Sequence, residues 1–105
     1  MVERICFTFT IKPGTEHEYR RRHDEIWPEM VSALKASGIS NYTLFLRELE
    51  VIAYAECDPD TQTAFAKMAA TEVDQRWSAW FEEIIDRRYG EDGKAMSVPE
   101  VWHLD

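Results

Sequence analysis

Apolar and polar residues alternate strictly at the start of the chain. Ile5, Phe7, Phe9 and Ile11 fall on one side, and Arg4, Cys6, Thr8, Thr10 and Lys12 on the other, the period-two pattern of a half-buried strand. Pro13-Gly14 ends it with a turn. Thr15, followed three residues later by Glu18, reads as a capping box that opens a helix. The helix predicted from there runs to about Ser37, with Gly38 as its C-terminal cap. Pro28 lacks the N–H that a helix interior needs and pushes Trp27 away from helical angles, so a kink or break is expected at Trp27. Ile39 to Arg47 and Val51 to Glu56 read as strands joined by the short polar turn Glu48-Leu49-Glu50, an antiparallel hairpin. Asp58-Pro59-Asp60 closes the hairpin and starts a short helix holding Phe65 and Met68. Thr71 caps a further helix in which Val73, Trp77, Trp80, Phe81, Ile84 and Ile85 recur at helical spacing. Gly90 to Lys94 reads as a polar loop, and Ser97 to Leu104, rich in Val and Trp, as a last strand.

The order β-α-β-β-α-β is the split pattern of a ferredoxin-like antiparallel sheet with helices on one side, an α+β fold. A chain of 105 residues has room for one domain, residues 1–105. The side of the sheet away from the helices would expose apolar residues, and pairing two sheets across a two-fold axis removes that exposure. A homodimer is therefore expected. The composition, 45% hydrophobic and 12% aromatic, is apolar enough for a self-contained core.

A formal net charge of -8 argues against nucleic acid or an anionic membrane as partner, because both need clustered Lys and Arg. The one basic run, Arg20-Arg21-Arg22, lies among acidic residues and reads as a solvated helix face with partners one turn away. No apolar stretch reaches the roughly 20 residues of a membrane span, and the N-terminus has no signal-peptide pattern, so a cytoplasmic protein is expected. Cys6 and Cys57 fall in strands without metal or CxxC spacing and read as reduced, buried thiols.

Candidate chemistry is sparse. Tyr19 and His23 are four residues apart, so a phenol and an imidazole share one helix face. Imidazole is the side chain whose ordinary pKa lies between pH 5 and 8. Tyr42 opens the second strand, and Trp77 lies on the apolar stripe of the last long helix. Aromatic faces suit the C–H surface of a sugar, and a tyrosine hydroxyl can bond a sugar hydroxyl. Spacing alone leaves all four open to a core role. His17 and His103 are weaker candidates, one in the opening turn and one near the chain end. Phosphate loops, HExxH, paired Cys/His ligands and the Gly-x-Ser-x-Gly elbow are absent from the sequence, so neither metal nor nucleotide cofactor is implied.

The run from Glu18 to Glu29, EYRRRHDEIWPE, closely resembles the E-Y-x-x-R-H-x-x-I-W-P-E motif of the L-rhamnose mutarotases, which interconvert the α and β anomers of a 6-deoxy sugar without a cofactor. The likeness continues through Gly38-Ile39-Ser40-Asn41-Tyr42 and Gln75-Arg76-Trp77. The resemblance implies a ferredoxin-like domain that dimerises through its sheets, a dimeric α/β barrel. It also implies a proton-donor role for His23 and sugar binding by Tyr19, Tyr42 and Trp77. Two positions depart from the family pattern. Ser78 stands where many members carry a second tryptophan, with Trp80, one turn on from Trp77, as a substitute ring. Tyr89-Gly90-Glu91-Asp92-Gly93-Lys94 replaces a loop that members commonly write as Asn-Pro-Asp-Asn-Ser-Pro. Dimeric ferredoxin-like barrels also host cofactor-independent monooxygenases, and a sugar-binding dimer without catalysis would use the same pocket, so fold alone leaves these two readings open.

Overall fold

The computed structural model describes residues 2–105. Its elements run β1 (Glu3–Ile11), α1 (Glu16–Asp24), α2 (Pro28–Ala36), β2 (Ile39–Arg47), β3 (Glu50–Cys57), α3 (Thr61–Ala69), α4 (Glu72–Phe81), β4 (Ile85–Arg87) and β5 (Met96–Ser97). The sheet order is β2-β3-β1-β4, with β5 also pairing with β1, and every pair is antiparallel. This is the expected ferredoxin-like order.

The alternation in β1 sorts its residues as predicted. Ile5, Phe9 and Ile11 pack into the core, and Phe7 meets Phe65 of α3 edge-on at 6.1 Å. The β3 partners of Ile5, Phe7 and Phe9, which are Ala55, Ala53 and Val51, are fully buried, as is Cys57 opposite Glu3. Small alanines at the sheet centre let the helices approach closely, and bulk comes from Tyr19, Trp77, Phe81 and Ile84 above them. The two cysteines lie on opposite sides of the sheet, both as free thiols; Cys57 is buried, but Cys6 only half-buried. Among the described residues no helix is long and apolar enough to cross a membrane.

The long helix breaks where proline requires it. α1 ends at Asp24, Trp27 takes extended angles (φ -66°, ψ 133°), and Pro28 occupies the first position of α2, where its missing N–H costs nothing. Gly38 follows the cap of α2 with φ +95°. A Cβ there would sit 2.2 Å from the Asp58 carbonyl oxygen, so this junction of α2, β2 and the end of β3 admits only glycine.

Four further expectations need correction. Thr15 does cap α1 by position, but its hydroxyl donates to the Lys12 carbonyl at 2.6 Å, and Glu18 turns instead to Arg21 and Arg22. No capping box forms, because two guanidiniums outbid one backbone N–H for the carboxylate. The last helix stops at Phe81, since Ile84 and Ile85, although at helical spacing, are drawn to the edge of β1, where Ile85 pairs with Ile11. The predicted strand from Ser97 to Leu104 reduces to Met96–Ser97 and one further hydrogen bond, Val98 N–H to the Cys6 carbonyl at 2.8 Å. Beyond it, Val101, Trp102 and Leu104 are 95%, 75% and 74% exposed. Finally, Arg21 behaves as a solvated helix-face residue, but Arg22 is buried.

Candidate functional site

The last turn of α1 and the middle of α4 face each other across a wall of rings. His23 lies 4.5 Å from the Tyr19 ring, 5.2 Å from Phe81 and 5.4 Å from Trp77, centroid to centroid. Tyr19 and His23 share a helix face, as the spacing of four predicts, and α4 supplies the other two rings at positions four apart. Trp27, set at the helix break, closes the row edge-on to Trp77 at 5.1 Å. Three of the four residues singled out from the sequence, Tyr19, His23 and Trp77, are thus in direct contact.

Tyr42 joins from the sheet. It lies in the irregular stretch of β2 between Ser40 and Thr43, beside Asn41 at φ 48°. Although 37% of the residue's surface is exposed there, burial around the phenol pushes its pKa up to about 12, with the Tyr19 phenol as an electrostatic neighbour. Burial also raises the Tyr19 pKa well above the ordinary phenol value. Both hydroxyls therefore keep their protons at any physiological pH, as donors that cannot act as bases.

The imidazole of His23 has a defined hydrogen-bonding state. Its Nδ1 is 2.9 Å from the Tyr19 carbonyl oxygen. A carbonyl only accepts, so Nδ1 carries the hydrogen, and in the neutral ring Nε2 holds the free lone pair. Burial lowers the pKa from its ordinary 6.5, while the Tyr19 carbonyl and the Asp24 carboxylate pull it back up. The net direction is down. At pH 7 His23 is a neutral base with Nε2 as its only proton-accepting atom.

Two charged residues that sequence reasoning missed also reach this neighbourhood. Asp74, one turn before Trp77 on α4, is an electrostatic neighbour of the Tyr42 phenol, and its own pKa is raised by burial against the pull of Arg88. Arg88, just after β4, acts on Tyr19, Tyr42 and Asp74 alike. The spacing of Asp74 and Trp77 was a usable signal. Nothing local marks Arg88, because a strand edge formed by distant residues brings it in.

Trp80, the expected substitute for a second tryptophan, stacks on Trp27 at 5.3 Å with 16° between the planes and lies 4.4 Å beneath the Arg22 guanidinium. It supports the wall and is committed to those partners. His17 lies in the first turn of α1, and His103 pairs with Asp105 at 2.9 Å, both apart from the ring cluster. Among the described residues no group of three His, Cys, Asp or Glu is gathered as metal ligands would be. The arrangement gathers an indole, two protonated phenols and a neutral imidazole with Nε2 as its acceptor, Tyr19 and Trp77 being themselves only 5% and 9% exposed.

Comparison with known proteins points the same way. A family model described as L-rhamnose mutarotase matches residues 4–104. The chain is 35% identical over 103 residues to an L-rhamnose mutarotase of Listeria monocytogenes, covering 98% of this chain and 99% of that one. It is 38% identical over 106 residues to an L-rhamnose mutarotase of Burkholderia ambifaria, covering 99% and 100%. The crystal structure of an L-rhamnose mutarotase from Formosa agariphila is similar with a TM-score of 0.77 at 25% identity, over 98% of this chain and 99% of that one.

Proposed function

The chain belongs to the L-rhamnose mutarotase family, and on that premise we propose that it interconverts the α and β anomers of L-rhamnose through His23. The observation that carries the mechanism is the hydrogen bond from Nδ1 to the Tyr19 carbonyl, which leaves Nε2 as the working atom. Nε2 takes the proton from the anomeric hydroxyl as the C1–O5 bond breaks, its electron pair going to O5 and a C1=O1 double bond forming. The imidazolium then gives that proton to O5, releasing the open-chain aldehyde. O1 and O5 are bonded to the same carbon, so one nitrogen serves both with little movement. After rotation about C1–C2 the steps reverse: O5 returns its proton to Nε2, attacks C1, and O1 regains a proton. His23 is thus base first and proton donor second.

Tyr19 and Tyr42 hold sugar oxygens as fixed donors, and Trp77 covers the apolar side that a 6-deoxy sugar presents. No other group of the proposed site need change its protonation state. Exchange NMR on L-rhamnose, with the protein present and absent, tests the activity: anomer exchange no faster than in buffer would refute it. The monooxygenase and pure binding readings have no comparable support, since each relative named above is called a mutarotase.

We read the enzyme as a cytoplasmic homodimer joined through its sheets. The side of the sheet away from the helices carries Phe45, 58% exposed, and Ile52 beside it in register. The exposed Val101, Trp102 and Leu104 add apolar area outside the core. A surface of this kind favours a partner. Light scattering should give twice the 12.3 kDa chain mass at micromolar concentration, and a stable monomer would refute the dimer. The free thiols of Cys6 and Cys57 are in keeping with a reducing compartment.

A further inference from the structure

Arg22 is the one charged side chain of α1 that is buried, with 6% of its surface exposed. Its Nε donates to Glu18 Oε2 at 2.7 Å, one terminal nitrogen donates to the Trp80 carbonyl at 2.7 Å, and the other to Glu83 Oε1. The guanidinium also lies 4.4 Å from the Trp80 ring centroid and 5.5 Å from that of Phe81. The Trp80 carbonyl belongs to the last turn of α4, where acceptors have no partner within the helix. Arg22 fills that vacancy from a different helix.

We infer that Arg22 is a positioning residue for the reaction, fixing the end of α1 against the end of α4 so that Nε2 of His23 stays aimed at the sugar. This rests on the reading of His23 as the base. α1 has only nine residues and stops at the break before Pro28, too short to hold a direction on its own. Among the described residues, the side-chain hydrogen bonds from α1 to the end of α4 and Glu83 all come from Arg22. His23 is the next residue, and its contacts on α4, Trp77 and Phe81, lie in the turn that Arg22 grips. Aromatic contacts alone tolerate sliding. Two hydrogen bonds across the gap, with the guanidinium plane held by a third to Glu18 of its own helix, do not, and lysine, a point charge on a flexible stem, cannot reproduce them. Net stability is not what such a group chiefly supplies, because desolvation offsets most of the attraction in a buried ion pair. Geometry is.

The test compares anomer exchange by NMR in the wild type, His23→Asn, Arg22→Lys and Glu83→Ala across a range of L-rhamnose concentrations. Misplacing a reacting group by about 1 Å can cost on the order of 10²-fold. Arg22→Lys should therefore lower the saturated exchange rate roughly 10–100-fold, with the half-saturating sugar concentration little changed. The ring-nitrogen NMR signals of His23 should also shift from one tautomer toward a mixture. Glu83→Ala removes one arm of the brace at a side chain that is 70% exposed, so the fold will hold, and it should lower the rate in the same direction by less. A Tm loss in Arg22→Lys at an unchanged saturated rate would make Arg22 a structural brace only and overturn the inference. Should Arg22→Lys fail to fold, an unchanged rate in Glu83→Ala would overturn it. A wild type that does not accelerate exchange would instead remove the mutarotase reading, and a His23→Asn variant as fast as an active wild type would remove the role of His23; either takes the inference with it.

Discussion

Replacing His23 by Asn separates proton transfer from everything else at the site. The amide N–H of asparagine can still donate to the Tyr19 carbonyl one turn back, as Nδ1 does now at 2.9 Å, but no atom remains to accept and return a proton. A positioned acid or base typically contributes about 10²–10⁴-fold, and anomer exchange should fall by that amount. The variant also loses ring contacts to Tyr19, Phe81 and Trp77. Aromatic pairs are worth about 0.5–1.5 kcal/mol each, and asparagine recovers part of that, so a loss of about 1–3 kcal/mol is expected. At roughly 4–8 °C per kcal/mol for a domain near this size, the lower Tm is easily measured, yet the protein stays folded at 25 °C. Sugar binding, followed by tryptophan fluorescence, should persist. The pH profile decides the order of events. Because the His23 pKa lies below 6.5 and the neutral ring is the starting form, wild-type exchange should rise with pH through that lowered pKa and then stay level through neutrality. The Asn variant should show no such step. An Asn variant as fast as wild type would make His23 structural, and a wild-type rate that falls with rising pH would show that the imidazolium starts the reaction.

The remaining expectations concern single contacts. Trp77→Ala should weaken L-rhamnose binding, read by fluorescence titration, far more than Trp102→Ala, whose ring is 75% exposed; equal losses would return Trp77 to a purely core role. Gly38→Ala meets both a positive φ and a carbonyl oxygen at 2.2 Å, whereas Gly14→Ala meets a positive φ with nothing within 4 Å. Strain of this kind costs on the order of 1–3 kcal/mol, so chemical denaturation should show both variants weakened and Gly38→Ala weakened more. Equal losses would mean that the Asp58 carbonyl moves aside freely.

What the sequence disclosed depended on whether a feature is local. The alternation of β1, the break at Trp27 and the glycine after α2 are each set by residues within a few positions of one another, and each is found in the structure. The end of α4 is not. Ile84 and Ile85 continue the helical stripe, and only the edge of β1, more than seventy positions upstream, converts Ile85 into a strand residue. The same holds for side chains. Tyr19, His23 and Trp77 could be singled out because helical spacing and a family motif mark them, whereas the burial of Arg22 requires the end of α4 to lie above it. Glu18 illustrates the failure in miniature: its distance from Thr15 is right for a capping box, but that distance says nothing about the two arginines that compete for its carboxylate.

The position of His23 also explains how one group can serve as base and acid in turn. It sits in the last turn of α1, where the helix dipole favours a cation by about 0.3–1 kcal/mol, and both the Tyr19 carbonyl and Asp24 favour the protonated ring. Burial among Tyr19, Trp77 and Phe81 opposes them and is the larger effect, since the pKa is lowered overall. A ring under burial alone would hold a proton too weakly to take one from a sugar hydroxyl. The polar contacts act the other way and stabilise the charged ring once the proton has arrived. Burial keeps the ring neutral at the start, so Nε2 can accept, while the polar contacts hold the imidazolium that forms as the proton passes from O1 to Nε2 to O5. The hydrogen bond to the Tyr19 carbonyl survives both states, so the ring need not turn between the two transfers.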